Sequence, residues 1–210
     1  DWDYNLSPDG RTIFFTSKRP DRIGDDPVKR GNIWMSKKTA AGWTPARKLN
    51  FPINTKDSHD AYPSVTIDGV FYFFSSRKGG LGKSDIYRSR LENGEYKTVE
   101  NLGSPVNSEF SDYDLYIAPD ESYLIFCSTR PGGFSNDVDL YVTFKKKDGS
   151  WTNPKNMGKD INANAAVCPF VSFDGKYFFY HSGLKNQFGN KNIYWVSAKI
   201  IEDLKPDNLK

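Results

Sequence analysis

Scarcity sets the first bounds on this chain of 210 residues. It has two cysteines, Cys127 and Cys168, too few for a disulfide framework. It has two histidines, His59 and His181. It has no Gly-x-Ser-x-Gly elbow, no Walker-type phosphate loop and no His-Glu-x-x-His motif, so no familiar catalytic signature is present. No apolar run approaches the roughly 20 residues of a membrane-spanning helix. The first residues, Asp1-Trp2-Asp3-Tyr4, do not read as a signal peptide, so an exported protein would have lost its leader already. Charge of one sign is also missing. With 29 basic and 26 acidic residues the net charge is +3, which argues for neither nucleic acid nor an anionic membrane surface.

What the chain does have is aromatics and turn formers. Phe, Tyr and Trp make up 15% of residues, beside 17 Gly and 12 Pro, a composition suited to many short strands and tight turns. These are arranged in a repeat. Ser7-Pro8-Asp9-Gly10 returns as Thr66-Ile67-Asp68-Gly69, Ala118-Pro119-Asp120-Glu121 and Ser172-Phe173-Asp174-Gly175, with Asp spacings of 59, 52 and 54 residues. An apolar segment ending in Ser follows each turn. A second signal comes next in each copy: Asn32-Ile33-Trp34, Asp85-Ile86-Tyr87, Asp139-Leu140-Tyr141 and Asn192-Ile193-Tyr194. Gly42-Trp43, Gly94-Glu95-Tyr96 and Gly149-Ser150-Trp151 precede a short fourth segment in the first three copies, and Ile53-Asn54, Val106-Asn107 and Ile161-Asn162 close those units.

Each unit predicts a four-stranded antiparallel meander, strands a to d, with the Asp-Gly turn joining a to b. One such sheet has two apolar faces and cannot bury both. Stacking the copies around an axis buries them between neighbours. The expected fold is therefore all-β: a β-propeller with four visible four-stranded blades in one domain, 1–210, with repeats near 1–57, 58–111, 112–165 and 166–210. Two versions fit, a four-bladed ring or part of a larger propeller lacking an N-terminal blade. The abrupt start at strand a of the first copy tilts the reading towards the second.

The Ser7-Pro8-Asp9-Gly10 turn, the Phe14-Phe15-Thr16-Ser17 strand, Asp85-Ile86-Tyr87, Arg130-Pro131-Gly132-Gly133 and Asn101-Leu102-Gly103-Ser104-Pro105-Val106-Asn107 resemble the TolB-like, WD40-like Pro-Asp-repeat propellers, and the tail from Asn192 to Ile201 resembles exported Bacteroidetes-type members. The resemblance spans the chain. It implies a periplasmic or otherwise exported module with binding, scaffolding or envelope-complex roles, and it supplies no shared catalytic set. The turn departs from the pattern at Ile67, Phe173 and Glu121.

In a propeller the d–a and b–c connections share one face. The segments before strand a are acidic, with Asp3, Asp57, Asp60, Glu109, Asp112 and Asp114, and the b–c loops are basic, with Arg19, Arg22, Arg30, Arg77 and Arg130. The expectation is an acidic mouth within a basic rim that takes a protein partner or a glycan, against the plainer reading of charges that pair within blades. Asp57, His59 and Asp60 are weak candidates for a divalent cation, with a structural calcium at residues 136–139 as a lesser alternative, and no other cofactor is expected. The alternatives are a metal-assisted saccharide lyase or hydrolase working from the acidic mouth, and a structural part of a larger envelope assembly. Asp139, in a stretch superficially like a calcium loop, is expected to be structural. His181 is expected as a packing residue, and the two cysteines as separate core thiols, with a cross-blade disulfide as the alternative. Trp34, Tyr87, Tyr141 and Tyr194 are expected between blades. Trp43, Tyr96 and Trp151 are expected nearer the rim, where a glycan could touch them.

Overall fold

A computed structural model describes residues 1–20, 28–183 and 192–210. Four antiparallel sheets form the blades of a β-propeller. In blade 1, strands a, b, c and d are Trp2–Leu6, Thr12–Ser17, Asn32–Thr39 and Arg47–Lys48. In blade 2 they are Asp60–Val65, Phe71–Ser75, Asp85–Ser89 and Glu100–Asn101. In blade 3 they are Asp112–Ile117, Tyr123–Ser128, Asp139–Phe144 and Lys155–Asn156. Blade 4 has Ala165–Val171, Tyr177–Gly183 and Asn192–Ser197.

Blade 4 departs from the four-stranded expectation. Among the described residues it has no strand d. A short helix, Lys199–Leu204, follows strand c instead, and its Ile201 is buried against the blade 3–blade 4 core with Leu204 and Leu209 beside it. The tail thus supplies apolar cover in a helix rather than a strand.

The a–b turns show why the repeat signature is needed. Ser7 Oγ donates to Asp9 Oδ1 (2.6 Å) and accepts the Thr12 amide (2.9 Å), while the Asp9 carboxylate accepts the Arg11 amide. Ser172 and Asp174 repeat the arrangement. The next residue is left-handed in every copy, with φ of +68° at Gly10, +80° at Gly69 and +70° at Gly175, where glycine carries no steric cost. Glu121 takes this conformation in blade 3 (φ +61°), its carboxylate held by the Tyr72 hydroxyl and the Lys145 ammonium from two blades.

Alternating side chains fill the gaps between sheets. Phe14, Ile33 and Met35 of blade 1 meet Phe71 and Phe73 of blade 2. Tyr72 and Ile86 meet Leu124 and Phe126 of blade 3. Ile125, Leu140 and Val142 meet Phe178 and Tyr180 of blade 4. Full burial of each such side chain stabilises by about 1.5–3 kcal/mol. The far side of blade 4 is different. Ile193 is 67% exposed, whereas its repeat equivalents Ile33, Ile86 and Leu140 are all 0% exposed. Among the described residues, no helix is long and apolar enough to cross a membrane.

Strand d is only two residues long in blades 1 to 3, and an asparagine completes its work. Asn54, Asn107 and Asn162 each accept the amide of Ile33, Ile86 or Leu140 (2.7–2.8 Å) and donate back to the same residue's carbonyl (2.8–3.0 Å). A buried side-chain amide thus stands in for two rungs of the ladder.

Candidate functional site

The acidic and basic residues of the loop-bearing face fall into three sets. The first ties the blades together. Asp60 and Asp112 open strand a of blades 2 and 3 and are fully buried. Asp60 accepts from Ser75 Oγ (2.6 Å), the Thr55 amide (2.8 Å) and Arg77 (2.9 Å). Asp112 accepts from the Ser108 amide and hydroxyl and from Arg130, each at 2.7 Å. Arg77 and Arg130 also donate to the carbonyls of Ile53 and Val106 in the preceding blade (2.7 Å). Each guanidinium lies over two rings, Phe73 and Tyr87 at 5.1 and 4.8 Å, Phe126 and Tyr141 at 5.3 and 5.1 Å. Arg19 pairs with Asp1 and covers Phe15 and Trp34 in the same manner. The sequence of the fourth copy lacks both partners at once, with Ala166 and Leu184 at the corresponding positions; Leu184 lies outside the described residues. Trp34, Tyr87 and Tyr141 are buried beneath these arginines, while Tyr194 is substantially exposed.

The second set lies on the axis. Six residues before each turn Asp stand Asp3, Tyr62, Asp114 and Cys168, and all four are left-handed, with φ of +53°, +56°, +40° and +59°. Each sits where the a–b pairing shifts register, as a bulge does. Three residues further along, Leu6, Val65, Ile117 and Val171 surround a cavity of about 20 Å³ that closes the turn end of the axis. The left-handed residues therefore form a polar level above an apolar plug. The Tyr62 hydroxyl bonds the Cys168 sulfur and lies within the field of Asp114 and Cys127, and burial pushes its pKa well up. Asp3 is pushed up to about 6 by burial, with a hydrogen bond from Thr16 opposing the shift. Cys127 and Cys168 are separate thiols, not a disulfide.

The third set is on the rim. Asp57, Glu109 and Arg30 are exposed, and Arg22 lies outside the described residues. His59 Nδ1 accepts the Gly31 amide (2.9 Å), and its ring meets Phe74 edge-on. Burial, opposed in part by Asp60, lowers its pKa. His59 and Asp60 are thus occupied by protein donors. Among the described residues, no group of three or more His, Cys, Asp or Glu residues is arranged to hold a metal ion. Asp139 is likewise engaged, accepting the Phe134 and Ser135 amides and the Asn156 side chain. Of the rim aromatics, Trp43 is exposed, Tyr96 half-buried and Trp151 buried.

Sequence reasoning had singled out Asp3 and Asp114 but not Tyr62 or Cys168. The usable signal was the constant six-residue offset from the turn Asp, which places Asp, Tyr and Cys at one structural position in the four copies.

No family model matches the sequence, and no curated protein matches it. Solved structures do share its fold. A TolB-type protein from Agrobacterium tumefaciens aligns with a TM-score of 0.61 at 17% identity over 93% of this chain and 60% of its own. A GH43 endo-arabinanase from Bacillus licheniformis aligns at 0.54, with 12% identity over 92% and 71% of the two chains. A puromycin-hydrolysing peptidase from Mycobacterium tuberculosis aligns at 0.50, with 15% identity over 99% and 30%. The chain thus spans less than two thirds of the TolB-type protein. At these identities the likeness is one of fold, and the fold is a TolB-like β-propeller.

Proposed function

We propose that this chain is a non-enzymatic binding propeller of the cell envelope, exported, that engages a protein partner or a glycan through its loop-bearing face. One observation carries the reading. The Asp–Arg clamps and the closing asparagines recur in kind in the first three blades, where they join strands and neighbouring blades. The axial position recurs only in backbone. Asp3, Tyr62, Asp114 and Cys168 all hold a left-handed conformation that glycine adopts freely and that costs other residues about 1–3 kcal/mol. Three different side chains, Asp, Tyr and Cys, kept at that cost over four positions suit recognition better than scaffolding.

The test is capture on a glycan array and from an envelope extract, comparing wild type with Tyr62→Phe and Asp3→Asn. Retention by the wild type and its loss in variants that still fold supports the reading. Turnover of a polysaccharide without stable capture overturns it in favour of a saccharide hydrolase or lyase. That second reading draws on Asp3, a carboxyl pushed up to about 6 and so able to donate a proton near neutrality. The uncovered face of blade 4 supports a place within a larger assembly.

A further inference from the structure

We infer that the outer junction of blades 1 and 2 is a binding trough for an acidic, uronate-type polysaccharide; the inference rests on the glycan-binding reading and gives it a ligand class and a second location. Two open hollows, of about 750 and 620 Å³, adjoin there and share Leu49, Asn50 and Phe51. One runs between the b–c and d–a connections of blade 1. The other lies over the apolar seam of Phe14, Met35 and Ile53 and reaches the Leu91–Glu92 and Glu95–Tyr96 hairpin of blade 2. Together they make one elongated surface rather than a compact pocket.

Charge is concentrated along it. Lys29, Arg30 and Lys56 line one end, and Lys37, Arg47 and Lys97 the other, with Lys48 between. Among the described residues Asp57 and Glu95 are the only carboxylates in the two linings, so seven cations face two anions there. Elsewhere the arginines Arg19, Arg77, Arg88 and Arg130 are paired within or between blades. Among the described residues, none of the six end cations forms an ion pair, and all six are exposed. His59, nearby, feels the positive charge of Lys18 and Arg30.

Between the cationic ends stands Phe51, 81% exposed, on the ridge that both hollows share. Its ring offers a flat apolar face to the C–H face of a sugar. Asp57 and Glu95 can accept from sugar hydroxyls beside the cations that take the carboxylates. A uronate unit supplies both partners in every residue. The two carboxylates repel any polyanion at their own positions, which favours a uronate chain, whose charges are separated by neutral hydroxyl-bearing carbons, over a phosphodiester backbone.

The experiment is calorimetry of the whole chain with de-esterified polygalacturonate, its fully methyl-esterified form and poly(U). The expected result is binding to the first alone, weakening with salt. Arg30→Glu/Lys56→Glu, both on exposed side chains, should weaken it about tenfold or more, the loss of about 1.4 kcal/mol. Phe51→Ala should weaken it with little change in salt dependence. Lys199→Glu, exposed on the helix after blade 4 and outside both hollows, should leave it intact. Equal binding of the methyl ester, preference for poly(U), no polygalacturonate binding, or indifference to the double charge reversal each overturns the inference. Loss of binding in Tyr62→Phe with indifference to the charge reversal would place the glycan on the axis instead, leaving the proposed function standing and the trough refuted.

Discussion

At the scale of the residue, the same charged types do two different jobs. Asp60 is enclosed by Ser75, Thr55 and Arg77, and Asp112 by Ser108 and Arg130. Removing one partner leaves the other buried and unpaired. Asp60→Ala is expected to destabilise by about 3–5 kcal/mol. The fourth copy, with Ala166 and Leu184 in these positions, suggests the remedy. The double replacement Asp60→Ala/Arg77→Leu should recover much of the loss in denaturant titrations, and a double variant no better than the single would mean that the arginine's carbonyl and ring contacts dominate. Asp3 behaves in the opposite sense. Burial pushes it from 3.8 up to about 6, so between those values the folded chain holds a proton that the unfolded chain releases. Its contribution is complete below pH 3.8 and is lost as pH rises through 6. Asp3→Asn, which stays neutral, should melt higher than wild type at pH 7.5 by about 2–4 °C, and the gap should close by pH 4.

At the scale of the element, the strands were legible because their alternation and turns are local. The turn Asp, the Ser that ends strand b and the Asp that begins strand c each accept backbone amides within a few residues. Their roles at Asp9, Ser128 and Asp139 follow the sequence pattern. What stayed hidden depends on register. A bulge turns a residue to the other side of the strand, so period-2 reasoning could not place Tyr62 or Cys168 on the axis. The acidic character of Asp60 and Asp112 likewise could not reveal burial, since the arginines that neutralise them come from 17 and 18 residues downstream. The helix at Lys199–Leu204 was missed because only the absence of a strand d pattern marked it. The asparagine that closes each unit carries its own prediction. Asn107→Ala removes two buried bonds to Ile86 and strands an amide and a carbonyl, which should cost about 2–4 kcal/mol by urea denaturation. A loss under 1 kcal/mol would show that water replaces the side chain.

At the scale of the whole molecule, stability is shared between neighbours. Apolar clusters join blade 1 to 2, 2 to 3 and 3 to 4, and no fourth cluster joins blade 4 to blade 1 among the described residues. Blades 2 and 3 are covered on both faces. Blade 4 leaves Ile193 and Trp195 bare, at 67% and 60% exposure. In an array held by nearest-neighbour contacts, the outer units open first. Hydrogen exchange should therefore be slowest in Phe71–Ser75 and Tyr123–Ser128 and fastest among the strands in Asn192–Ser197. Uniform protection across all four sheets would show that the open face is covered in solution.

The left-handed positions on the axis have a consequence for how such a molecule can change. Their side chains stand outside the ladders and the arginine clamps, and only Tyr62 and Cys168 also pack beside the inter-blade clusters, so selection can rewrite Asp3 or Asp114 with little change to the architecture. The barrel of blades then works like a lock whose pins touch one another, where altering a pin changes the key and leaves most of the casing as it was.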